Sequence, residues 1–413
     1  MMMSKSYRYQ LLALLLCLMG APESAFPQVT VVSQPAGDEA RWEQVLCARF
    51  DALTADALFE TSQLGLMVYD LTASKTLYAR GARQLLRPAS TMKLLTAITA
   101  LQQLGGSHQF QTRLYALGEV ADSVFTGTLY CQGGFDPAFG NEEMAVFIDS
   151  IRALGIHTLR GTIVADRSMK DADLLGEGWC WDDKNPVLSP LLCNRRDDFL
   201  YQLIGQLADV GILADVTTAE SGVPESARLL CIVSHTIDQI LLQMLKKSDN
   251  LYAEAVLYQV AAATGNRPAT AKDAAAVEQE LIRSLGLSPD NYRLADGSGL
   301  SLYNYLSAEL EVELLKYAWH NRAIYDHLYP ALPVSGIDGT LKDRMKSADT
   351  QGKVWAKTGT LSGISSLAGY AMTANGHVIA FAVINQGLRN GRAGRDFQDR
   401  LCQAICQPAD LPN

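Results

Sequence analysis

Between Leu64 and Arg80 the apolar positions gather into two short runs, "LGLMVYDL" and "TLYAR", around the polar stretch Thr72 to Lys75. That pattern predicts two strands joined as a hairpin. Upstream, "EARWEQVLCARFDALTADAL" repeats its apolar residues at helical spacing. Downstream, Pro88 opens a second helical pattern, "RPASTMKLLTAITALQQL", which stops at Gly105-Gly106. Near the carboxyl end the alternation returns in "GKVWAKTGT", "SSLAGYAMTA" and "HVIAFAVINQG", and Asn375-Gly376 between the last two predicts a type I′ hairpin. A helix from about Arg392 to Cys406 closes the pattern. Strands at both ends with helices between them predict one antiparallel sheet assembled from distant parts of the chain. The helix after Pro88 then packs beside it, within reach of the "KTGT" strand.

Residues 107 to 228 change character. "TRLYALGEV", "TGTLYCQGGFDPAFG" and "LRGTIVADRS" read as strands around one helix, "NEEMAVFIDSIRALG", followed by the tryptophan-bearing loop "GEGWCWDDKNPVLSPLLCN". This predicts an inserted domain at 107–228 within a discontinuous catalytic domain, 28–106 and 229–413. From about Ser234 helices resume in "SHTIDQILLQMLKKSDN" and "LYAEAVLYQVAAATG".

The 413 residues are 48% hydrophobic and 19% charged, a globular composition. A net charge of −9 without a basic run argues against nucleic acid as a partner. In residues 1–27, Lys5 and Arg8 precede an apolar run from Leu11 to Met19 and then small residues, the order of a cleaved export signal. The mature chain is therefore expected outside the cytoplasm, in the periplasm or its equivalent. A lipid anchor at Cys17 meets the bulky Leu16 where lipidation needs a small residue, so peripheral attachment to a membrane is the secondary expectation. The remaining seven cysteines permit at most three disulfides, and the six histidines show no metal-ligand spacing, so no metal is expected. Oligomeric state is left open.

Three short motifs carry candidate chemistry. Ser90 and Lys93 form S-x-x-K, a spacing that puts both side chains on one helix face, where a neutral amine can take the hydroxyl proton as oxygen attacks a carbonyl. A chain of this composition holds roughly one such tetrad by chance. Ser248-Asp249-Asn250 sets a hydroxyl and an amide two positions apart, although the same triplet is also a good helix start. Lys357-Thr358-Gly359-Thr360 lies on a predicted strand, where glycine clears a path for a substrate and the backbone beyond it can face an oxyanion. Asp136 in "GGFDPAFG" reads as a turn residue. Trp179 to Asp183 reads as a packing brace for the insert.

The three motifs in this order resemble the active-site serine penicillin-recognising enzymes. "RPASTMKLLTA", "KKSDNLYAEA", "DGSGLS", "LPVSGIDGTLKDR", "VWAKTGTLSGISSLAGY" and "GWCWDD" narrow the resemblance to the D-alanyl-D-alanine carboxypeptidase/endopeptidase family, peptidase family S13 of the penicillin-binding protein 4 type. It implies an α+β fold: a five-stranded antiparallel sheet flanked by helices, β-lactamase/transpeptidase-like, with a smaller inserted α/β domain. It implies no cofactor, peptidoglycan stem peptides as substrate, and β-lactams as covalent inhibitors. Ser90 would be the acylated nucleophile and Lys93 its base. Ser248 would protonate departing D-alanine, Asn250 would hold the peptide, Lys357 would support the proton relay and Thr358 the terminal carboxylate. The amides of Ser90 and Thr360 would form the oxyanion hole beside Gly359. Only 158 positions separate Ser90 from Ser248, which implies one insert where larger members carry two. Carboxypeptidase and endopeptidase action both stay open. The alternatives are a β-lactamase, for which Glu278 and Glu280 lack the expected E-x-x-x-N setting, and an idle peptidoglycan-binding protein.

Overall fold

A computed structural model describes residues 36–181 and 185–407. The expected export signal, with Cys17, lies outside the described residues. From Arg41 onward the chain forms one compact unit. Among the described residues no helix is long and apolar enough to cross a membrane.

Helix α1 (Ala36–Thr54) leads to the hairpin β1 (Gln63–Asp70) and β2 (Lys75–Arg80), and a single 3-10 turn at Ala89–Thr91 leads into α2 (Met92–Leu104). Next come β3 (Gln109–Ala121), β4 (Val124–Gln132), α3 (Asn141–Arg152), β5 (Thr158–Asp166), α4 (Phe199–Asp209), β6 (Leu213–Glu220) and β7 (Arg228–Thr236). Helices α5 (Ile237–Lys246), α6 (Asn250–Ala263), α7 (Ala271–Ser284), α8 (Ala308–His320) and α9 (Arg322–Ala331) precede β8 (Val354–Leu361), β9 (Ile364–Met372), β10 (Val378–Gln386) and α10 (Gly391–Cys406).

The first sheet has the order β2-β1-β10-β9-β8, and every pair in it is antiparallel. It is therefore the expected sheet, closed by pairing β1 near one end of the chain with β10 near the other. Side-chain alternation explains its two coats. Ile379, Phe381 and Val383 of β10 pack with Trp42, Leu46 and Phe50 of α1 and Phe397 and Leu401 of α10. Ala380 and Ala382 face the other way, where their small side chains let the helical layer containing Leu310 and Leu314 of α8 come close. Each fully buried Phe or Leu here contributes about 1.5–3 kcal/mol. Helix α2 is buried along its whole run from Met92 to Leu101, so any polar group on it must find its partners inside.

The second sheet, β6-β5-β4-β3-β7, is mixed: β4, β5 and β6 run parallel, whereas β3 is antiparallel to both β4 and β7. A cluster of Phe139, Phe147 and Phe199, with ring centroids 5.0 to 5.9 Å apart, joins α3 and α4 over this sheet. Helix α4 and the two edge strands β6 and β7 are additions to the sequence reading. Strand β6 is mostly exposed and only faintly alternating, whereas β7 carries an unbroken apolar run from Leu229 to Val233 with no alternation to mark it as a strand.

Two further details differ from expectation. The β9–β10 connection spans residues 373–377, with Gly376 N donating to Thr373 O and only Gly376 left-handed (φ 86°). It is a type I turn with a glycine bulge rather than a type I′ hairpin. All seven cysteines from Cys47 onward are free thiols, so none of the permitted disulfides is formed among the described residues.

Gly118, Gly127 and Gly161 stand opposite one another across β3, β4 and β5, at φ of 159°, 155° and 133°. A Cβ on Gly127 would lie 2.3 Å from Leu117 O. Gly127→Ala is expected to destabilise the chain by about 1–3 kcal/mol, read as a lowered urea midpoint. An unchanged midpoint would show that this glycine row is not required.

Candidate active site

The site is assembled where α2, α6 and β8 meet. Pro88 and a left-handed Ala89 (φ 49°) carry the chain into the 3-10 turn that holds Ser90. This strained turn is pinned by the Pro88 carbonyl, which accepts hydrogen bonds from Thr91 Oγ1 at 2.8 Å and from Ser366 Oγ. Ser90 thus stands on the turn before α2, and Lys93 points from the first turn of the helix itself.

Lys93 is completely buried, and its Nζ reaches three acceptors: Ser90 Oγ at 3.0 Å, Asn250 Oδ1 at 2.8 Å and Ser298 O at 2.6 Å. Burial drives its pKa down to about 8, partly offset by the negative charges of Asp296, Glu254 and Asp249. A neutral amine has two N–H donors and one lone pair. With the donors on Asn250 and the Ser298 carbonyl, the lone pair is left for the Ser90 hydroxyl.

Ser248 is left-handed (φ 59°), Asp249 caps α6 by accepting from Leu251 N at 3.1 Å, and Asn250 is the first residue of that helix. The triplet is therefore a helix start and also a carrier of two side chains that reach the site. Lys357 on β8 donates to Ser248 Oγ at 2.8 Å and to Thr358 O at 2.6 Å. Burial, followed by the charge on Lys93, holds the Lys357 pKa well below the usual lysine range. Two buried lysines whose pKa values are lowered, each bonded to a serine hydroxyl, thus stand in a dry setting suited to moving protons.

Gly359 has a different role from the one its position in the sequence suggests. A Cβ there would stand 2.0 Å from Ser366 Oγ, 2.7 Å from Pro88 O and 3.0 Å from Ser90 N. Glycine is needed so that β8 can close against the turn bearing Ser90. That approach sets the Ser90 amide beside the strand that continues into exposed Thr360. Thr358 Oγ1 donates to Thr340 Oγ1 at 2.8 Å.

Sequence reasoning missed several participants. The Ser298 carbonyl is aimed at Lys93 because Glu254 accepts from Ser298 N at 2.8 Å and Gly297 N at 3.2 Å. Burial and the charge of Asp296 push Glu254 up to about 8. Asp296 itself accepts from Gly299 N, Ser301 N and Asn304 Nδ2 at 2.6–2.7 Å. The motif "DGSGLS" signalled this loop, but a backbone carbonyl leaves no mark in a sequence. Trp179 Nε1 donates to Asp296 Oδ2 at 2.8 Å, so it braces this loop rather than the insert, and Trp181 stands 85% exposed. Asp136 is a turn residue, accepting from Ala138 N at 3.0 Å, and its other oxygen meets His235 Nδ1 at 2.7 Å.

Fold and site together define a serine hydrolase of the acyl-transfer type. Residues 46–191 and 193–407 match the model of the D-Ala-D-Ala carboxypeptidase 3 (S13) family, and the chain belongs to that family. It is 26% identical to a D-alanyl-D-alanine carboxypeptidase of Actinomadura sp., over 87% of this chain and 84% of that protein. It is 24% identical to the carboxypeptidase DacB of Haemophilus influenzae, over 80% and 87%. Among solved structures it is similar in fold to penicillin binding protein 4 of Haemophilus influenzae, with TM-score 0.77, 22% identity and coverage of 83% of this chain and 95% of that one. A predatory peptidoglycan endopeptidase of Bdellovibrio bacteriovorus shares the fold at TM-score 0.57 and 16% identity, over 83% and 92%.

Two outcomes follow for acylation by a fluorescent penicillin. If Lys93 serves as the base it must be neutral, so the acylation rate should climb about tenfold per pH unit from pH 6 and level off above about 8. A flat profile over pH 6 to 8 would contradict this. Gly359→Ala should lower the rate about 100-fold by forcing β8 off the turn that bears Ser90. Acylation at the original rate would show that the close approach is dispensable.

Proposed function

We propose that this chain is a serine DD-peptidase of peptidoglycan. It cleaves the D-Ala-D-Ala terminus of a stem peptide, the D-Ala-meso-diaminopimelate cross-link, or both, through an ester on Ser90. The single observation that carries the reading is the Lys93 amine, buried and held 3.0 Å from the Ser90 hydroxyl.

In this mechanism Lys93 takes the Ser90 proton as Oγ attacks the penultimate D-alanine carbonyl. The tetrahedral oxyanion is met by the amides of Ser90 and Thr360. The C–N bond breaks as Ser248, bonded to Lys357, delivers a proton to the departing amine and is reprotonated by the Lys93 ammonium, which leaves Lys93 neutral again. Asn250 holds the peptide, and Thr358 with Lys357 receives the terminal carboxylate beside β8. Water then attacks the ester as Lys93 takes its proton, and Lys93 returns that proton to Ser90 Oγ as the C–O bond breaks and the freed acid departs. β-Lactams enter as acyl donors of the same shape.

A persistent penicilloyl ester is part of this reading. Glu278 is buried against Thr96, its Oε1 3.4 Å from Thr96 Oγ1, and Glu280 pairs with Arg283 on the surface. Neither carboxylate makes a hydrogen bond to Ser90, Lys93 or Ser248, which supports a peptidase over a β-lactamase. We propose further that the segment 107–228, continued through β7, is an inserted domain, and that the enzyme works outside the cytoplasm after export.

Fluorescent penicillin should label the wild-type chain covalently and stably, and Ser90→Ala not at all. Digests of purified muropeptides should release D-alanine, split cross-linked dimers, or both. Absence of label on either protein would support the idle binder, and turnover of a chromogenic β-lactam many times per second would support the β-lactamase.

A further inference from the structure

The loop between β5 and α4 ends in a tight two-residue turn. Cys193 and Arg196 exchange backbone hydrogen bonds of 3.0 and 3.1 Å, with Asn194 and Arg195 between them. Both of those residues are left-handed, at φ 51° and 66°. Such a turn favours glycine at its second position, and an arginine there is strained, tolerated only where the surroundings impose it. The surroundings do so. Asn194 N donates to Phe139 O at 2.9 Å, and Asn194 Nδ2 donates to Asn141 Oδ1 and Gln202 Oε1 at 2.8 and 2.9 Å.

The strained turn aims Arg195 at the middle residue of the S-D-N triplet. Arg195 Nη1 donates to Asp249 Oδ2 at 2.7 Å and Nη2 to Oδ1 at 3.0 Å, a bidentate pair. Asp249 is only 11% exposed, and its carboxylate also accepts from Leu251 N at 3.1 Å and Gln243 Nε2 at 3.4 Å. Burial alone would raise its pKa, but the hydrogen bonds and charge of Arg195 overcome this and hold it below the usual carboxylate range. On either side of Asp249, the left-handed Ser248 meets Lys357 and Asn250 meets Lys93.

We propose that Arg195 is a positioning residue. Its grip on the Asp249 carboxylate fixes the peptide from which Ser248 and Asn250 project, and so ties the segment carrying the second sheet to proton transfer in the active site. The Arg195 side chain is half exposed, and an ion pair in that setting adds little to stability. Its value is geometric: an ordinary loop could satisfy Asp249 with water, but water does not hold a left-handed serine within 2.8 Å of a buried lysine. A planar guanidinium fixes both carboxylate oxygens at once, which a lysine cannot do.

The inference rests on the DD-peptidase reading, and the test separates the two. Penicillin binding and acylation constants would be measured for wild type, Arg195→Ala, Arg195→Lys, Asp249→Asn and the double variant Arg195→Ala/Asp249→Asn. Arg195→Ala should slow the acylation step about 30-fold while the binding constant stays within about threefold. The melting temperature should move by less than about 3 °C. Arg195→Lys should recover only part of the rate, and the double variant should be no slower than the worse single variant, because one interaction is lost in both. Acylation of Arg195→Ala at the wild-type rate overturns the inference and leaves the peptidase reading intact. So does a rate loss that appears only together with a large fall in melting temperature. If the wild-type chain takes no label, the peptidase reading falls. The positioning claim is then judged by a crystal structure of Arg195→Ala, which must show Ser248 Oγ out of hydrogen-bond reach of Lys357.

Discussion

A lysine amine taken wholly out of water must either share its charge with acceptors or give up its proton, and Lys93 is built to do both. Its three acceptors come from three separate stretches of chain: Ser90 on its own turn, Asn250 at the start of α6, and the Ser298 carbonyl of a buried loop. The burial that demands those partners also lowers the pKa to about 8. One constraint therefore assembles the site and sets its chemistry. The first sheet, the all-buried helix α2 and the Glu254 clasp on Gly297 and Ser298 can all be read as means of keeping that amine dry and aimed.

Strain is concentrated around the same point. Ala89, immediately before Ser90, and Ser248, beside Asp249, are both left-handed without being glycine. Each is held from outside: the Ala89 turn by hydrogen bonds from Thr91 and Ser366 to Pro88 O, and Ser248 by Lys357. A backbone forced into a sparsely populated region persists only where neighbours over-determine it, and here those neighbours include the reactive groups themselves. Gly359 completes the closure by having no side chain at all. Clearing a channel for substrate is the function its place in K-T-G suggests, whereas the contacts show it clearing room for the protein's own turn.

What the sequence made legible was chemistry held by covalent proximity. S-x-x-K, S-D-N and K-T-G each place two informative side chains within four residues, and β1 and β10 of the first sheet carry nearly continuous apolar runs because both of their faces are covered. What it hid was long-range or made of backbone. The Ser298 carbonyl, the Thr340 hydroxyl partnering Thr358, and Arg195 reaching Asp249 from 54 positions away have no local pattern to betray them. The edge strands β6 and β7 were missed for other reasons: β6 is largely exposed, and the unbroken apolar run Leu229 to Val233 of β7 has no period that separates a strand from the helix after it. At Asn375-Gly376 the dipeptide correctly marked a turn but named the wrong type, because only the glycine adopts a positive φ.

Convergence of distant segments on a single scissile amide can be seen in a crystal structure of the penicillin-treated protein. An ester on Ser90 Oγ is expected, its carbonyl oxygen between the amides of Ser90 and Thr360, and the ligand carboxylate beside Thr358 and Lys357. An adduct on any other residue, or an ester carbonyl turned away from both amides toward solvent, would contradict it.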